Sequence, residues 1–291
     1  MDTTRNQRTI AEPTAVEGFG YWSSRDVRVE FRPAEANTGI VFVRGDLPGR
    51  PRIPASVANR LETPRRTSLR CGEAGVDMIE HVMAALAGLR IDNCEVWASA
   101  AEMPGCDGSS QPFVEALDAG GIVVQDAPRA RRVNVETIRL GTAESWVEVR
   151  PVNDESFLLC YQLDYGPQSP IGRQTLELAL TPDVFRRELA PCRTFLLKSE
   201  ADWAQSQGLG RRTTCRDLLV FGPDGPIENQ LRFPDECVRH KVLDMVGDLA
   251  LAGCDLAGRF SAFRSGHRLN AELVQVLLSP TEAVYPRRRC A

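Results

Sequence analysis

Along this chain the apolar pattern keeps changing its period. Over Asp26–Phe31 the period is two: Val27, Val29 and Phe31 alternate with polar residues as in a half-buried strand. Over Val76–Leu89 it becomes three and four, with Val76, Ile79, Met83 and Leu86 recurring as on one helix face. The same mixture returns beyond Gln125–Arg132. Strands are expected at Val133–Arg139, Trp146–Pro151, Phe157–Leu163 and Phe260–Phe263. Helices are expected at Pro182 to about Leu189, Pro234–Leu251 closed by Gly253, and Asn270–Leu278. Strands and helices mixed without regular βαβ alternation specify an α+β fold rather than a doubly wound sheet.

Punctuation residues divide the chain. Ala36-Asn37-Thr38-Gly39 is a turn ahead of a strand at Val41–Val43, and Ile91–Ala98 returns to strand character after the helix. Pro104–Ser109 is a turn-rich loop; Ser109 or Ser110 then caps a short helix with Pro112 in its first turn and Gly120-Gly121 at its stop. The expected organisation is a first α+β domain over 1–126, a linker at 127–132, a second domain over 133–285, and a basic tail at 286–291. The two halves share an order of elements but no residue-level repeat. The clusters Arg129, Arg131, Arg132 and Arg287–Arg289 read as a solvated linker and tail.

Composition excludes several classes. With 43% hydrophobic and 25% charged residues the chain is globular, and a net charge of −4 gives no general attraction to nucleic acid. No stretch reaches the ~18 apolar residues of a membrane span, and the polar start MDTTRNQRTI lacks a signal-peptide core. The nine cysteines are odd in number and lack a C-x-x-C pair, so a secreted disulfide framework is not indicated. The expected compartment is the cytoplasm and the expected state a monomer.

The three histidines carry what chemistry the residues suggest by themselves. His240-Lys-Val-Leu-Asp244 puts an imidazole and a carboxylate at i and i+4 on one helix face, a spacing that suits two ligands of one metal and equally suits a surface pair. The apolar neighbours Val238, Val242, Leu243, Met245 and Val246 favour the buried reading. Cys237-x-x-His240 is a second ligand pairing, but thiolates belong mostly to structural sites with several cysteines, so Asp244 is preferred. Glu80 beside His81 has the form of a non-ligating base next to a metal ligand. His267 sits in a Ser-Gly-His turn able to present an imidazole to a cleft. No His-Glu-x-x-His, Walker loop, Gly-x-Gly-x-x-Gly or Gly-x-Ser-x-Gly is present.

At these residues the chain resembles the UDP-3-O-acyl-N-acetylglucosamine deacetylases, zinc amidases of lipid A biosynthesis. The resemblance is collinear over nearly the whole length. It is carried by Arg32-Pro-Ala-Glu-Ala-Asn-Thr-Gly39, Glu80-His-Val-Met-Ala-Ala-Leu-Ala-Gly-Leu-Arg-Ile-Asp-Asn93, Glu102-Met-Pro-Gly-Cys-Asp-Gly-Ser109 with Pro112-Phe113, and Arg193-Thr-Phe195. Its most specific part is Leu231-Arg-Phe233, Val238-Arg-His-Lys-Val-Leu-Asp244, Gly247-Asp-Leu249, Gly258-Arg-Phe260 and Ser265-Gly-His267.

The resemblance implies two similar domains, each a sheet packed on helices, with the helices sandwiched between the sheets. It implies Zn²⁺ held by His81, His240 and Asp244, although such ligands also accept iron. Glu80 would be the base, and His267, kept protonated by Asp248, the acid. Thr194 would stabilise the oxyanion, Lys241 would contact substrate, Asp164 and Tyr165 would receive the uridine, and Phe195 would line the entrance. The implied substrate is a UDP-sugar lipid precursor, which loses its N-acetyl group as acetate. Two alternatives are a paralogue deacetylating another N-acetylated sugar nucleotide, and a catalytically silent paralogue that binds a nucleotide sugar. The chain departs from the family at Tyr21-Trp22, where a histidine is usual at Trp22, and at Arg212-Thr213, where a glycine pair is usual. Both places resemble walls of the acyl passage.

Overall fold

The computed structural model describes residues 5–154 and 156–279; the expected basic tail lies outside the described residues. In chain order the first half holds β1 (Asn6–Ile10), β2 (Thr14–Phe19), β3 (Asp26–Pro33), β4 (Ile40–Arg44), β5 (Arg52–Pro54), β6 (Arg60–Leu61), β7 (Ser68–Cys71), β8 (Ala74–Asp77), α1 (Glu80–Gly88), β9 (Cys94–Ala98), α2 (Gln111–Ala119) and β10 (Ile122–Pro128). The second half follows with β11 (Arg131–Val133), β12 (Ile138–Gly141), β13 (Trp146–Arg150), β14 (Phe157–Asp164) and β15 (Arg173–Ala179). A single turn α3 (Pro182–Val184) widens into Phe185–Leu189. Then come β16 (Phe195–Leu197), α4 (Lys198–Ser206), β17 (Leu219–Gly222), β18 (Gly225–Pro226), α5 (Glu236–Leu249), β19 (Asp255–Phe263) and α6 (His267–Leu278).

The two large sheets have one topology used twice. The first runs β2-β3-β9-β4-β5 and the second β12-β13-β19-β14-β15, with β11 beside β19. In each, every neighbouring pair along the path is antiparallel except one: β4 with β9, and β14 with β19. A parallel pair needs a crossover, and the crossover helix is α1 in the first half and α5 in the second. In each half a small three-stranded sheet, β6-β7-β8 or β16-β17-β18, precedes that helix. The similar order of elements is therefore a repeat of topology. The mainly antiparallel sheets and the six α-helices among the described residues make the fold α+β, as the sequence specifies.

Contacts run from β2 to α2, from α2 to α1, from α1 to α5, and from α5 to β14 and β15, while α6 packs on β12 and β13. The helices thus lie between the sheets. Eight of the nine residues of α1 are buried, including Glu80 and His81, which fits a helix covered on all sides. At the crossing with α5 the helices meet backbone to backbone. A Cβ on Gly247 would lie 2.1 Å from the Glu80 carbonyl oxygen, so only glycine allows this approach.

Some boundaries differ from expectation. The helix begins at Glu80 rather than Val76, because Val76 belongs to β8 and Met78 turns the chain at φ +56°. Val76 and Met83 are both core residues, but the spacing of three and four spanned two elements. Val133–Arg139 resolves into β11 and β12, and α6 starts at His267 rather than Asn270. The segment 127–132 is mostly strand, and Arg129 is not simply solvated: its Nε lies 3.0 Å from Asp92 Oδ1. Arg5 joins the same group, binding Asp92 at 2.7 Å and Asp255 at 2.6 Å, which ties the two halves beside the segment that joins them.

Candidate metal centre

Where α1 crosses α5, three buried side chains converge. One ligand atom each from His81, His240 and Asp244 lies within 4.8 Å of the other two. Asp244 Oδ1 is 3.7 Å from His81 Nε2 and 3.3 Å from His240 Nε2, and the two imidazole rings stand nearly perpendicular with centroids 5.0 Å apart. The i, i+4 spacing of His240 and Asp244 on α5 puts both on the face that α1 covers. Cys237 is buried too but stands outside this group, so the thiolate pairing drops out.

The donor set fits a metal ion. Burial, with His240 as a like-charged neighbour, pushes His81 down to about 3, and burial also lowers His240; both rings are neutral and keep a lone pair to share. His240 Nδ1 lies 3.0 Å from the Cys192 carbonyl, so that nitrogen carries the hydrogen and Nε2 faces the cluster. Burial would raise Asp244, but the Lys241 ammonium and the other positive charge nearby, at His267, outweigh it and hold the carboxylate far below its usual range. Lys241 Nζ sits 2.5 Å from Asp244 Oδ2. Two neutral imidazoles and one ionised carboxylate make a set with room for a further ligand.

Beside it stand Glu80 and His267, the expected base and acid. Glu80 is buried, and burial raises its carboxyl to about 7 against the opposing charge of His267. Its Oε2 accepts the Thr67 amide at 2.9 Å. His267 is the first residue of α6, where the helix dipole disfavours a cation. Burial also pushes it down, but the charge and hydrogen bond of Asp248 prevail and the imidazole is raised to about 9. Asp248 is fully buried on α5, one turn beyond Asp244. Its Oδ2 accepts from His267 Nδ1 and Asn270 Nδ2, both at 2.9 Å, and its Oδ1 accepts from Thr67 Oγ1 at 2.6 Å.

These groups open into a cavity of about 850 Å³. Thr194, Phe195, Tyr165 and Lys241 line it together with Glu80 and His267. The segment carrying Thr194 is fixed on both sides. Its amide donates to the Gly108 carbonyl at 2.7 Å, and the preceding Arg193 binds buried Glu236, at the start of α5, at 2.8 Å. The Phe195 ring lies 6.3 Å from that of His240 and 5.9 Å from Tyr165. Asp164 is not part of this wall. Its carboxylate accepts from the Gly166 amide at 2.7 Å and Arg173 Nε at 3.0 Å, away from the cavity.

The profile of the UDP-3-O-acyl N-acetylglycosamine deacetylase family matches residues 7–279. The chain belongs to this family. Proteins named UDP-3-O-acyl-N-acetylglucosamine deacetylase from Brucella ovis, Brucella canis and Brucella suis are each 40% identical to it over 280 residues, covering 95% of this chain and 96% of theirs. Among the described residues no helix of this deacetylase-family chain is long and apolar enough to cross a membrane.

Of the four residues at the departures noted in the sequence, Tyr21, Trp22 and Thr213 reach the cavity of this family member. Tyr21 and Trp22 line it, and Glu102 fixes the Trp22 and Ser23 amides at 2.7 Å each. The Tyr21 hydroxyl donates to the Asp217 carbonyl. Arg212 does not line it: its guanidinium turns outward to Asp26 at 2.6 Å and lies 4.4 Å over the Phe19 ring. Sequence reasoning missed Thr67, Asn270 and the Cys192 carbonyl. None sits at a spacing that would mark it, because each acts on a residue brought close by the fold.

Proposed function

We propose that this chain is a zinc-dependent deacetylase that hydrolyses the N-acetyl group of UDP-3-O-acyl-N-acetylglucosamine, giving acetate and the free amine. The observation that carries the reading is the meeting of His81, His240 and Asp244 beside Glu80 and His267 in a chain of this family. His81, His240 and Asp244 would hold the ion. Zinc supplies Lewis acidity, which acidifies water and polarises a carbonyl.

Glu80, whose carboxyl is raised to about 7 by burial, takes a proton from the water that attacks the acetamide carbon. As the carbonyl oxygen gains charge, the Thr194 hydroxyl donates to it. The C–N bond then breaks, and His267 gives its proton to the departing amine nitrogen. Asp248 keeps His267 charged until that moment. Lys241 holds Asp244 ionised and presents its ammonium to the substrate in the cavity. Tyr165, with an exposed aromatic face, stacks on the uracil, while Asp164, bound to the Gly166 amide and to Arg173, holds the loop that carries Tyr165. Phe195 walls the entrance, and the enzyme works as a cytoplasmic monomer.

The test is acetate release from acylated and non-acylated UDP-N-acetylglucosamine, with metal analysis of the same sample. The reading predicts turnover of the acylated substrate, loss on chelation and recovery with Zn²⁺. Turnover of the non-acylated substrate alone, or UDP-sugar binding without acetate release, would replace it.

A further inference from the structure

We infer that Thr67 is a positioning residue that keeps the base and the acid of this hydrolysis in register; the inference rests on the deacetylase reading above. Thr67 is 1% exposed and lies just before β7, in the small sheet that precedes α1. Its amide donates to Glu80 Oε2 at 2.9 Å, and its hydroxyl donates to Asp248 Oδ1 at 2.6 Å. One residue therefore grips a carboxylate on α1 and another on α5.

The direction of the second bond is fixed by its partner. An ionised carboxylate only accepts, so the threonine hydroxyl must donate. That donor occupies Oδ1 and leaves Oδ2 to His267 Nδ1 and Asn270 Nδ2. His267 Nδ1 is also 3.2 Å from Oδ1, so a carboxylate that loses Thr67 is free to swing toward the imidazole. The ring then turns, and its other nitrogen leaves the line to the amine. Thr67 does not line the cavity, so it cannot act by touching substrate. Its effect belongs in kcat rather than KM.

Thr67→Val keeps the shape and removes the donor. It should lower kcat by roughly ten- to a hundred-fold, as loss of a hydrogen bond to a charged group does, with KM within about twofold and zinc content unchanged. Thr67→Ser, which keeps the hydroxyl, should restore kcat to within about twofold. In an Asp248→Ala background, Thr67→Val should add almost nothing, because the partner is gone. Should the valine variant not fold, Thr67→Cys takes its place, being close in size and a poor donor.

A readout independent of turnover is the nuclear magnetic resonance signal of the His267 Nδ1 proton in zinc-loaded protein. It should move in Thr67→Val and stay in Thr67→Ser. Because it needs no substrate, it still decides the role of Thr67 if the wild-type chain proves not to be a deacetylase. Wild-type kcat in the valine variant, an unmoved His267 proton, or a serine variant as impaired as valine each overturns the proposal.

Discussion

Replacing Asp248 by asparagine removes the charge that outweighs burial at His267. In the structure His267 stands at about 9, with burial as the largest opposing influence. Without the Asp248 charge, burial is opposed only by Glu80 and Asp244, and the imidazole falls back toward its ordinary value of about 6.5. At pH 8 the wild-type ring is then about 90% protonated and a ring at that ordinary value about 3%, from the ordinary titration relation. At pH 6 such a ring is about 75% protonated. Only the protonated ring can act as acid. Asp248→Asn should therefore lower kcat/KM by about thirty-fold at pH 8, with the gap narrowing as pH falls toward 6. The assay is acetate release across pH 5.5–9.5 for both proteins, since kcat/KM reports groups of the free enzyme. Wild type should lose activity on the basic side near pH 9, and the variant well below that. A loss of constant size at every pH would refute the reasoning and make Asp248 a packing residue only.

Glu80→Ala should reduce kcat by about 10²–10⁴-fold with one zinc still bound; loss of the metal in a metal analysis would instead make Glu80 a ligand. Gly247→Ala drives a methyl to within 2.1 Å of the Glu80 carbonyl oxygen, so it should cost about 1–3 kcal/mol or more in denaturant unfolding and weaken metal retention. Unchanged stability there would mean the α1–α5 contact is looser than described. Trp22→Ala widens the cavity wall and should shift kcat/KM toward longer acyl chains; an unchanged long-to-short ratio would remove Trp22 from the passage.

Periodicity carried the parts of this molecule that bury one face. The strand over Asp26–Pro33 alternates burial residue by residue, and the turn Ala250–Ala252 that extends α5 closes where Gly253 adopts a left-handed conformation at φ +66°, so both were readable. α4 buries no residue fully, and it left no stripe to read. The start of α1 was misplaced because β8 and the helix share apolar residues at helical spacing across the bend at Met78.

At the site, the pairing of His240 with Asp244 was local and visible. The joining of His81 to that pair was not, since it depends on two crossover helices from equivalent places in two sheets meeting at Gly247. Resemblance supplied that link before the geometry did. The uridine pair divided for a similar reason. Tyr165 and Asp164 are adjacent in sequence, yet only Tyr165 reaches the cavity wall.

The proposed chemistry stands on what surrounds the ion, and X-ray absorption at the zinc edge of the loaded protein reads that directly. It should find one zinc per chain with two imidazole nitrogens and oxygen neighbours, all at about 2.0–2.2 Å. Asp244→Ala should reduce its occupancy. A sulfur neighbour at about 2.3 Å, or a zinc site unaltered in both His81→Ala and Asp244→Ala, would contradict it.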